Sequence, residues 1–271
     1  MVDSHCHLAD ERFVPDLAAV IERARGAGVG TALCVLAAGD PAEIERGHAV
    51  SELWADVYFA VGAHPHEARV FADRMEGLGA IVGSLLARTP RAVAIGEIGL
   101  DYHYDFSPRH VQRAVFAAQV ALARETARPI VVHTREADAD TLDVLRSEGQ
   151  GAVGGVFHCF SGDRELASRA LDLGFLVSFS GIVTFPGATS LREIAAWIPL
   201  DRLLVETDCP YLAPVPYRGR RNEPAFVERV VGAVAGARDA AVETIAAAAV
   251  ANFERVFLTP TGRSAVPAPA R

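Results

Sequence analysis

Two histidines near the start of the chain, His5 and His7, stand two residues apart in the stretch MVDSHCHLAD. Side chains alternate between the two faces of a β-strand, so both imidazoles project to one side, with Asp3 at the same spacing. Neutral imidazole binds divalent metal ions, and two imidazoles on one face form half of a metal site. An exposed polar pair is the structural alternative, which these two residues alone do not exclude.

Four further candidate ligands come at the ends of apolar runs: Glu97, His133, His158 and Asp208. The runs are AVAIGEIGLDY, PIVVHTRE, GGVFHCFSG and LLVETDCPYL, and each leads into a polar loop. A single histidine in such a place is more often an ordinary core residue. Six ligand-type residues in equivalent positions are instead typical of a divalent metal centre.

Glu97 is the candidate bridging ligand between two metal ions. A lone buried carboxylate is costly unless a cation compensates it, and its two oxygens can each contact a different ion. A carboxylated lysine does this in many metal-dependent barrel hydrolases, but all 26 basic residues of this chain are arginines. We therefore expect two divalent ions, Mg²⁺, Mn²⁺ or Zn²⁺, one of them on His133 and His158 and the other on His5, His7 and Asp208.

Three residues near the ligands have further predicted roles. Asp208 is also placed to accept a proton from the attacking water, and His64, in VGAHPHE, to contact the substrate or the leaving group. Glu206 shares a strand face with Asp208, and we expect it to orient His5 or His7 through the ring nitrogen that binds no metal. The structural alternative for Glu206 is a salt bridge with an arginine inside the barrel.

A basic segment, YLAPVPYRGRRNEP, follows the last apolar run. Guanidinium groups match phosphate oxygens with paired hydrogen bonds, so the candidate contacts to substrate phosphate are Arg135, Arg218, Arg220 and Arg221. The alternative is an ordinary solvated run of charge. We expect His66 to be a solvated loop residue.

The order of apolar runs predicts the elements that position these side chains. Eight β-branched or apolar runs alternate with Ala-, Leu-, Glu- and Arg-rich stretches of helical spacing, which is the pattern of parallel βα units. The predicted strands cover residues 1–7, 31–36, 57–63, 92–98, 129–133, 154–159, 175–180 and 203–207. The predicted helices cover residues 15–26, 41–53, 108–126, 137–146, 164–173, 224–234 and 239–257.

This alternation predicts a single (β/α)₈ TIM barrel over residues 1–258, and the candidate ligands suggest the metal-dependent hydrolase type. The carboxyl ends of barrel strands form the open, substrate-facing mouth, and the candidate ligands fall at those ends. An open doubly wound sheet is the alternative, but no GxGxxG turn follows the first strand. Residues 259–271 are rich in Pro and Ala, and we predict that they form a disordered tail.

Composition limits the partners and the compartment. The net charge of −8 opposes passive binding to nucleic acid, so a nucleic-acid substrate needs local help from metal ions and the basic segment. The four widely spaced cysteines favour packing roles over disulfides or a Cys-type zinc site. No apolar run approaches the roughly 20 residues that span a bilayer, and the start lacks signal-peptide features. We expect a cytoplasmic protein with no membrane association and no obligate protein partner.

Seven motifs together resemble the TatD family of metal-dependent deoxyribonucleases. They are DSHCHL, VGAHPHE, AIGEIGLDY, PIVVHTREAD, FHCFSG, LLVETDCPYLAP and YRGRRNEP, in family order from residue 3 to about residue 224. The resemblance implies a TIM barrel of the amidohydrolase type that hydrolyses DNA phosphodiester bonds, commonly from a strand end. It implies the six ligands above, with His64 as a further active-site residue. His103 and Tyr104, in GLDYHYDF, lie where we expect variation, and we assign them no function.

Other functions stay open at the level of sequence. The same activated water would attack the carbonyl carbon of a small ester, amide or lactone, and removal of an aminoacyl group from tRNA has also been associated with this family. A metal-stabilised binding module without turnover is disfavoured, because structural metal sites are usually closed and these ligands surround an open mouth. We expect DNA as the substrate, as single strands or 3′ ends.

Overall fold

The computed structural model describes residues 1–259, in which eight parallel strands form one sheet in sequence order. The strands are β1 (Val2–Cys6), β2 (Thr31–Ala37), β3 (Val57–Gly62), β4 (Ala92–Asp101), β5 (Ile130–Arg135), β6 (Gly155–Phe157), β7 (Leu176–Phe179) and β8 (Leu203–Val205). Strand order and helices between the strands confirm the predicted TIM barrel.

The residues that follow β8 close the barrel against β1. The N–H of Asp208 donates to the carbonyl of His5 at 2.9 Å. Asp3, which is fully buried, accepts hydrogen bonds from the N–H of Thr207 at 2.8 Å and from its hydroxyl at 2.6 Å. These bonds hold the first strand, with both its histidines, beside Asp208.

Nine α-helices surround the sheet within residues 1–259. They are α1 (Leu17–Gly26), α2 (Pro41–Leu53), α3 (Met75–Arg88), α4 (Arg109–Thr126), α5 (Asp138–Gly149), α6 (Arg164–Asp172), α7 (Thr189–Trp197), α8 (Val227–Arg238) and α9 (Val242–Phe253). Helix starts follow local chemistry: Asp40 accepts from the N–H of Ala42 and Glu43 ahead of α2, and Pro41 takes the first helical position.

Two of these helices, α3 and α7, lie where we predicted none. Helix α3 contains Gly77, Gly79 and Gly83, and each glycine lowers helix propensity by about 1 kcal/mol relative to alanine. The helix forms nevertheless, because Leu78 and Val82 recur at a spacing of four residues and are buried against the barrel. Packing therefore outweighs local propensity in this stretch.

Two buried glutamines of α4 fix the carboxyl ends of β3 and β4. Gln119 accepts from the N–H of Ala63 and donates to its carbonyl, and Gln112 does the same for Asp101. Strand-end groups buried without partners would be costly, and these amides satisfy them. Side chains at both strand ends, including His64 beside Ala63, are thereby held in place.

The predicted disordered tail, residues 259–271, lies outside the described residues apart from Thr259. Across residues 1–259, no helix is both long and apolar enough to cross a membrane. All four cysteines are free thiols, and Cys6, Cys34 and Cys209 are buried.

Candidate metal centre

The predicted ligands converge at the carboxyl-terminal mouth of the barrel around Glu97. Oε2 of Glu97 lies 3.4 Å from Nε2 of His5 and 3.9 Å from Nε2 of His7. Oε1 of Glu97 lies 2.6 Å from Nε2 of His158 and 2.9 Å from Nδ1 of His133. Each carboxylate oxygen thus faces a different pair of imidazoles, which is an arrangement suited to two adjacent metal positions.

A β-bulge directs Glu97 into the mouth. Between Ile95 and Ile98, β4 contains one residue more than the facing stretch of β5. Bulges of this kind change the direction of a side chain and are common beside active sites. At Gly96 a Cβ atom would lie 2.6 Å from the Cβ of Val131, so only glycine fits at this close approach. Gly96 therefore permits the close approach of β4 to β5, and the next residue, Glu97, carries the carboxylate that faces both pairs of imidazoles.

The first metal position lies between β1 and the end of β8. Nε2 of His5 is 3.2 Å from Nε2 of His7, and Oδ1 of Asp208 is 3.6 Å and 3.4 Å from the same two nitrogens. His5 is fully buried, and its Nδ1 has no hydrogen-bond partner within residues 1–259. Lone pairs that converge this closely need a proton or a cation between them. With Glu97, these donors form a nitrogen and oxygen set that suits a divalent ion.

Charge balance also fits a cation. Burial would raise the pKa of Glu97, but the neighbouring His158 and His64 hold it well below its usual range. Burial opposes charge on His7, yet the hydrogen bond and charge of Asp208 outweigh burial and raise the pKa of His7 to about 9. Protonation of the imidazoles would balance the negative charge of these carboxylates. A divalent ion bound at the same place would supply the same positive charge.

The second metal position has a carboxylate behind each imidazole. Nε2 of His133 lies 3.2 Å from Oδ2 of Asp101, and Nδ1 of His158 lies 3.3 Å from Oε1 of Glu206. An N–H donated to these carboxylates leaves the other ring nitrogen with a free lone pair directed at Glu97, a common arrangement behind metal-binding histidines. We expected Glu206 to act on His5 or His7, but its Oε1 instead contacts His158 and accepts the N–H of Cys159 at 2.6 Å.

Asp101 is the site residue that the sequence interpretation missed. It is fully buried, lies 2.8 Å from Nε2 of His66, and accepts two backbone N–H groups besides its contact with His133. Its position four residues after Glu97 on the same strand was the available signal, because alternation places both on one face. The expectation that His66 is a solvated residue was wrong, since its ring is partly buried against Asp101.

His64 contacts the centre from the loop after β3. Its Nδ1 accepts the N–H of His66, so the ring proton is on Nε2, which lies 3.4 Å from Oε1 of Glu97. Burial lowers the pKa of His64 to about 4, and the ring is therefore neutral at pH 7. A neutral Nε2–H at this place can donate a hydrogen bond to Glu97 or to a substrate oxygen.

The four candidate arginines are placed differently. Arg135, Arg218 and Arg220 are exposed. Arg221 instead bonds both oxygens of Asp16 through two guanidinium nitrogens, each at 2.7 Å. This pairing fastens the segment after β8 to α1, so we remove Arg221 from the candidate phosphate contacts.

Fold and donor atoms together indicate the class of barrel-shaped metal-dependent hydrolases. The family model described as TatD related DNase matches residues 2–258. The chain therefore belongs to the TatD family, and the resemblance seen in its motifs is confirmed.

Relatives cover nearly the whole chain. The uncharacterized metal-dependent hydrolase YcfH of Escherichia coli K12 is 44% identical over 260 residues, or 95% of each chain. The 3′-5′ ssDNA/RNA exonuclease TatD of Klebsiella pneumoniae is 35% identical over 262 residues, 95% of this chain and 97% of its own. The crystal structure of YjjV, a TatD homolog from Escherichia coli K12, matches with a TM-score of 0.86 at 30% identity, over 96% of this chain and 98% of that one.

Proposed function

We propose that this chain is a two-metal deoxyribonuclease that hydrolyses phosphodiester bonds of single-stranded DNA from a 3′ end. The observation that carries the proposal is the position of Glu97, whose two oxygens face separate pairs of imidazoles. The name of the Klebsiella pneumoniae relative, which refers to an exonuclease acting on single strands, supports this choice of substrate.

The ligands divide between two divalent ions, for which Mg²⁺, Mn²⁺ and Zn²⁺ are the candidates. His5, His7 and Asp208 would hold the first ion, His133 and His158 the second, and Glu97 would contact both. When bound, the ions acidify a water and offset the negative charge that develops on the phosphoryl oxygens.

The remaining chemistry belongs to side chains of this protein. Oδ1 of Asp208 faces the imidazoles of His5 and His7, which leaves Oδ2 to accept the proton of the attacking water. The neutral His64 would donate its Nε2–H to a phosphoryl or leaving oxygen. Glu206 holds the ring of His158 in position rather than taking part itself.

Substrate phosphates would be held by the exposed arginines Arg135, Arg218 and Arg220. The chain carries a net charge of −8, so a polyanion is attracted locally at these groups and at the metal ions rather than by the protein as a whole. Guanidinium groups at the rim of the mouth also fix the register of the strand, because phosphate contacts position a nucleic acid without reading its sequence.

The proposal is tested with three substrates and controlled metal content. Purified protein is treated with chelator, then supplied with Mg²⁺, Mn²⁺ or Zn²⁺, and assayed on a linear single strand with a free 3′ end, a circular strand and a panel of carbonyl and aminoacyl esters. We expect metal-dependent shortening of the linear strand alone. Cleavage of the circle would rule out a strict requirement for an end, and turnover confined to esters would refute the nuclease.

The role of the arginines is tested by the salt dependence of DNA binding. In an Asp208→Asn background that prevents turnover, Arg218→Ala or Arg220→Ala should each reduce the slope of log K against log [salt] by about 1 or less. Arg221→Ala is the matched control, because Asp16 already holds that guanidinium, and its slope should stay unchanged. Equal slopes for Arg220→Ala and the parent protein would argue against phosphate contact by Arg220.

A further inference from the structure

Among residues 1–259, the Tyr, Phe and Trp side chains that are strongly exposed number three, and all three border the mouth of the barrel. They are Tyr104, Phe106 and Tyr211, with exposures of 49%, 55% and 48%. Tyr211 packs edge-on against His7 with ring centroids 5.8 Å apart. Tyr104 and Phe106 pack against His66, whose ring centroid is 6.2 Å from that of His133. Exposed aromatic surface that collects at one place is typical of a binding site.

Tyr104 and Phe106 form a stacked pair, which we call the aromatic shelf. Their ring centroids are 5.3 Å apart and the ring planes differ by 18°. The guanidinium of Arg135 lies over the Tyr104 ring, with its central carbon 4.8 Å from the centroid. The shelf thus combines flat apolar surface with a positive charge, which are the two features that single-stranded nucleic acids need from a protein surface.

The aromatic shelf is connected to the metal centre through one side chain, His66. The Phe106 ring lies 4.8 Å from the His66 ring, and Nε2 of His66 lies 2.8 Å from Asp101. Asp101 in turn contacts His133, the nearest ligand of the second metal position. When a phosphate of the substrate lies at the candidate metal centre, the base of that nucleotide or of the adjacent one is therefore within reach of the shelf.

We propose that the aromatic shelf stacks an unpaired nucleobase next to the scissile phosphate. This inference rests on the proposed nuclease function and names residues that would set its preference for single strands. Bases within a duplex have both faces covered by neighbouring pairs, whereas a free base can pack its face on the exposed ring surface of the shelf. Stacking of this kind does not depend on base identity, so the shelf selects for strand state and not for sequence.

Binding of a labelled single strand tests the inference without turnover. The strand carries 2-aminopurine near its 3′ end, a base analogue whose fluorescence falls when it stacks, and the Asp208→Asn protein prevents cleavage. We expect Tyr104→Leu with Phe106→Leu to weaken binding by about ten-fold or more and to remove the quenching. Tyr104→Phe keeps the ring and should bind and quench as the parent does.

The matched control is Leu53→Ala, which also removes exposed apolar surface. Leu53 is 44% exposed and ends α2 just before β3 begins, so it lies at the amino-terminal face, opposite the mouth. Its replacement should leave DNA affinity unchanged. A strand that lacks bases near its 3′ end should bind the parent weakly, and the double leucine variant should weaken this binding no further.

The outcomes separate the two proposals. If the parent protein neither binds nor cleaves single strands, the nuclease and the shelf inference both fail. If the parent cleaves single strands and the folded double leucine variant binds and quenches equally well, the shelf inference alone is overturned. A double variant that loses a dimer in sedimentation while keeping its DNA affinity would assign the shelf to contact between copies, and would also overturn the inference.

Discussion

The two halves of the candidate metal centre, on either side of Glu97, are positioned in different ways. The half with His5 and Asp208 is held by the main-chain and side-chain bonds that close the barrel between β1 and the end of β8. The half with His133 and His158 is held by carboxylates behind the rings, Asp101 and Glu206. The first half is thus positioned by the contacts that close the barrel, and the second by hydrogen bonds between individual side chains.

This difference indicates that the two halves respond to mutation differently. Changes near β1 alter the closure of the barrel, so we expect them to lower the free energy of unfolding. Changes behind His133 alter the orientation of one imidazole, so we expect them to lower metal affinity while the fold is kept. Three substitutions test this comparison.

Replacement of the shared carboxylate should affect both halves and have the largest effect. In Glu97→Ala neither ion keeps its position relative to the other, so we expect turnover to fall by at least about a thousand-fold and metal content to fall below two ions per chain. Steady-state kinetics and elemental analysis of the folded protein measure these quantities. Glu97→Gln, which keeps the shape but not the charge, is the control for packing. A folded, metal-loaded Glu97→Ala protein with most of its activity would refute the bridging role.

Loss of Asp101 should weaken the second half alone. Asp101→Asn removes the negative charge behind His133 and replaces one of the two acceptor oxygens with an amide donor, so we expect the affinity of one of the two proposed ions to fall about 10-fold to 100-fold. Competition between the protein and a chelator for Mn²⁺ measures both affinities. The control is Asp105→Asn in the same loop, since Asp105 pairs with Arg109 at the surface. Equal affinities for the Asp101→Asn and Asp105→Asn proteins would contradict the role assigned to Asp101.

Loss of the Thr207 hydroxyl should lower the free energy of unfolding, because this hydroxyl helps to hold the first half of the candidate centre. Thr207→Val removes the hydroxyl that donates to the fully buried Asp3 and keeps the backbone N–H donor. We expect a loss of about 1–3 kcal/mol in the free energy of unfolding. For a chain of this length that corresponds to a fall of about 2–12 °C in Tm, measured by calorimetry at fixed metal concentration. Thr126→Val, at an exposed hydroxyl, should change Tm much less. An unchanged Tm of the Thr207→Val protein would show that the hydroxyl contact with Asp3 does not stabilise the closed barrel.

One property of parallel βα units made both the barrel and the convergence of its six candidate ligands predictable from sequence. Parallel strands that alternate with helices bring their carboxyl ends to the same mouth, so a residue's position at the end of a strand determines its place in the fold. Glu97, His133 and His158 each end an apolar run. Neither the register of neighbouring strands nor the helix positions were needed to place them together.

The partners of Glu206 and Asp101 were not predictable in the same way. Strict alternation assigns a face to a residue, but the choice between His5 and His158 as a partner depends on strand register. Both β1 and β4 contain an irregularity that shifts the register by one residue, and only the folded structure shows it. The ion pair of Arg221 with Asp16 was not predictable for a similar reason, because the two residues lie 205 positions apart.

The hydrogen bond between Asp208 and His5 has a consequence for biosynthesis. The ribosome synthesises His5 and His7 about two hundred residues before β8, the strand that closes the sheet, and Asp208, which follows it. The cluster of His5, His7 and Asp208 therefore cannot form before Asp208 has been synthesised. An ion held by all three of these side chains would therefore bind an already assembled barrel and would not direct the early stages of its assembly.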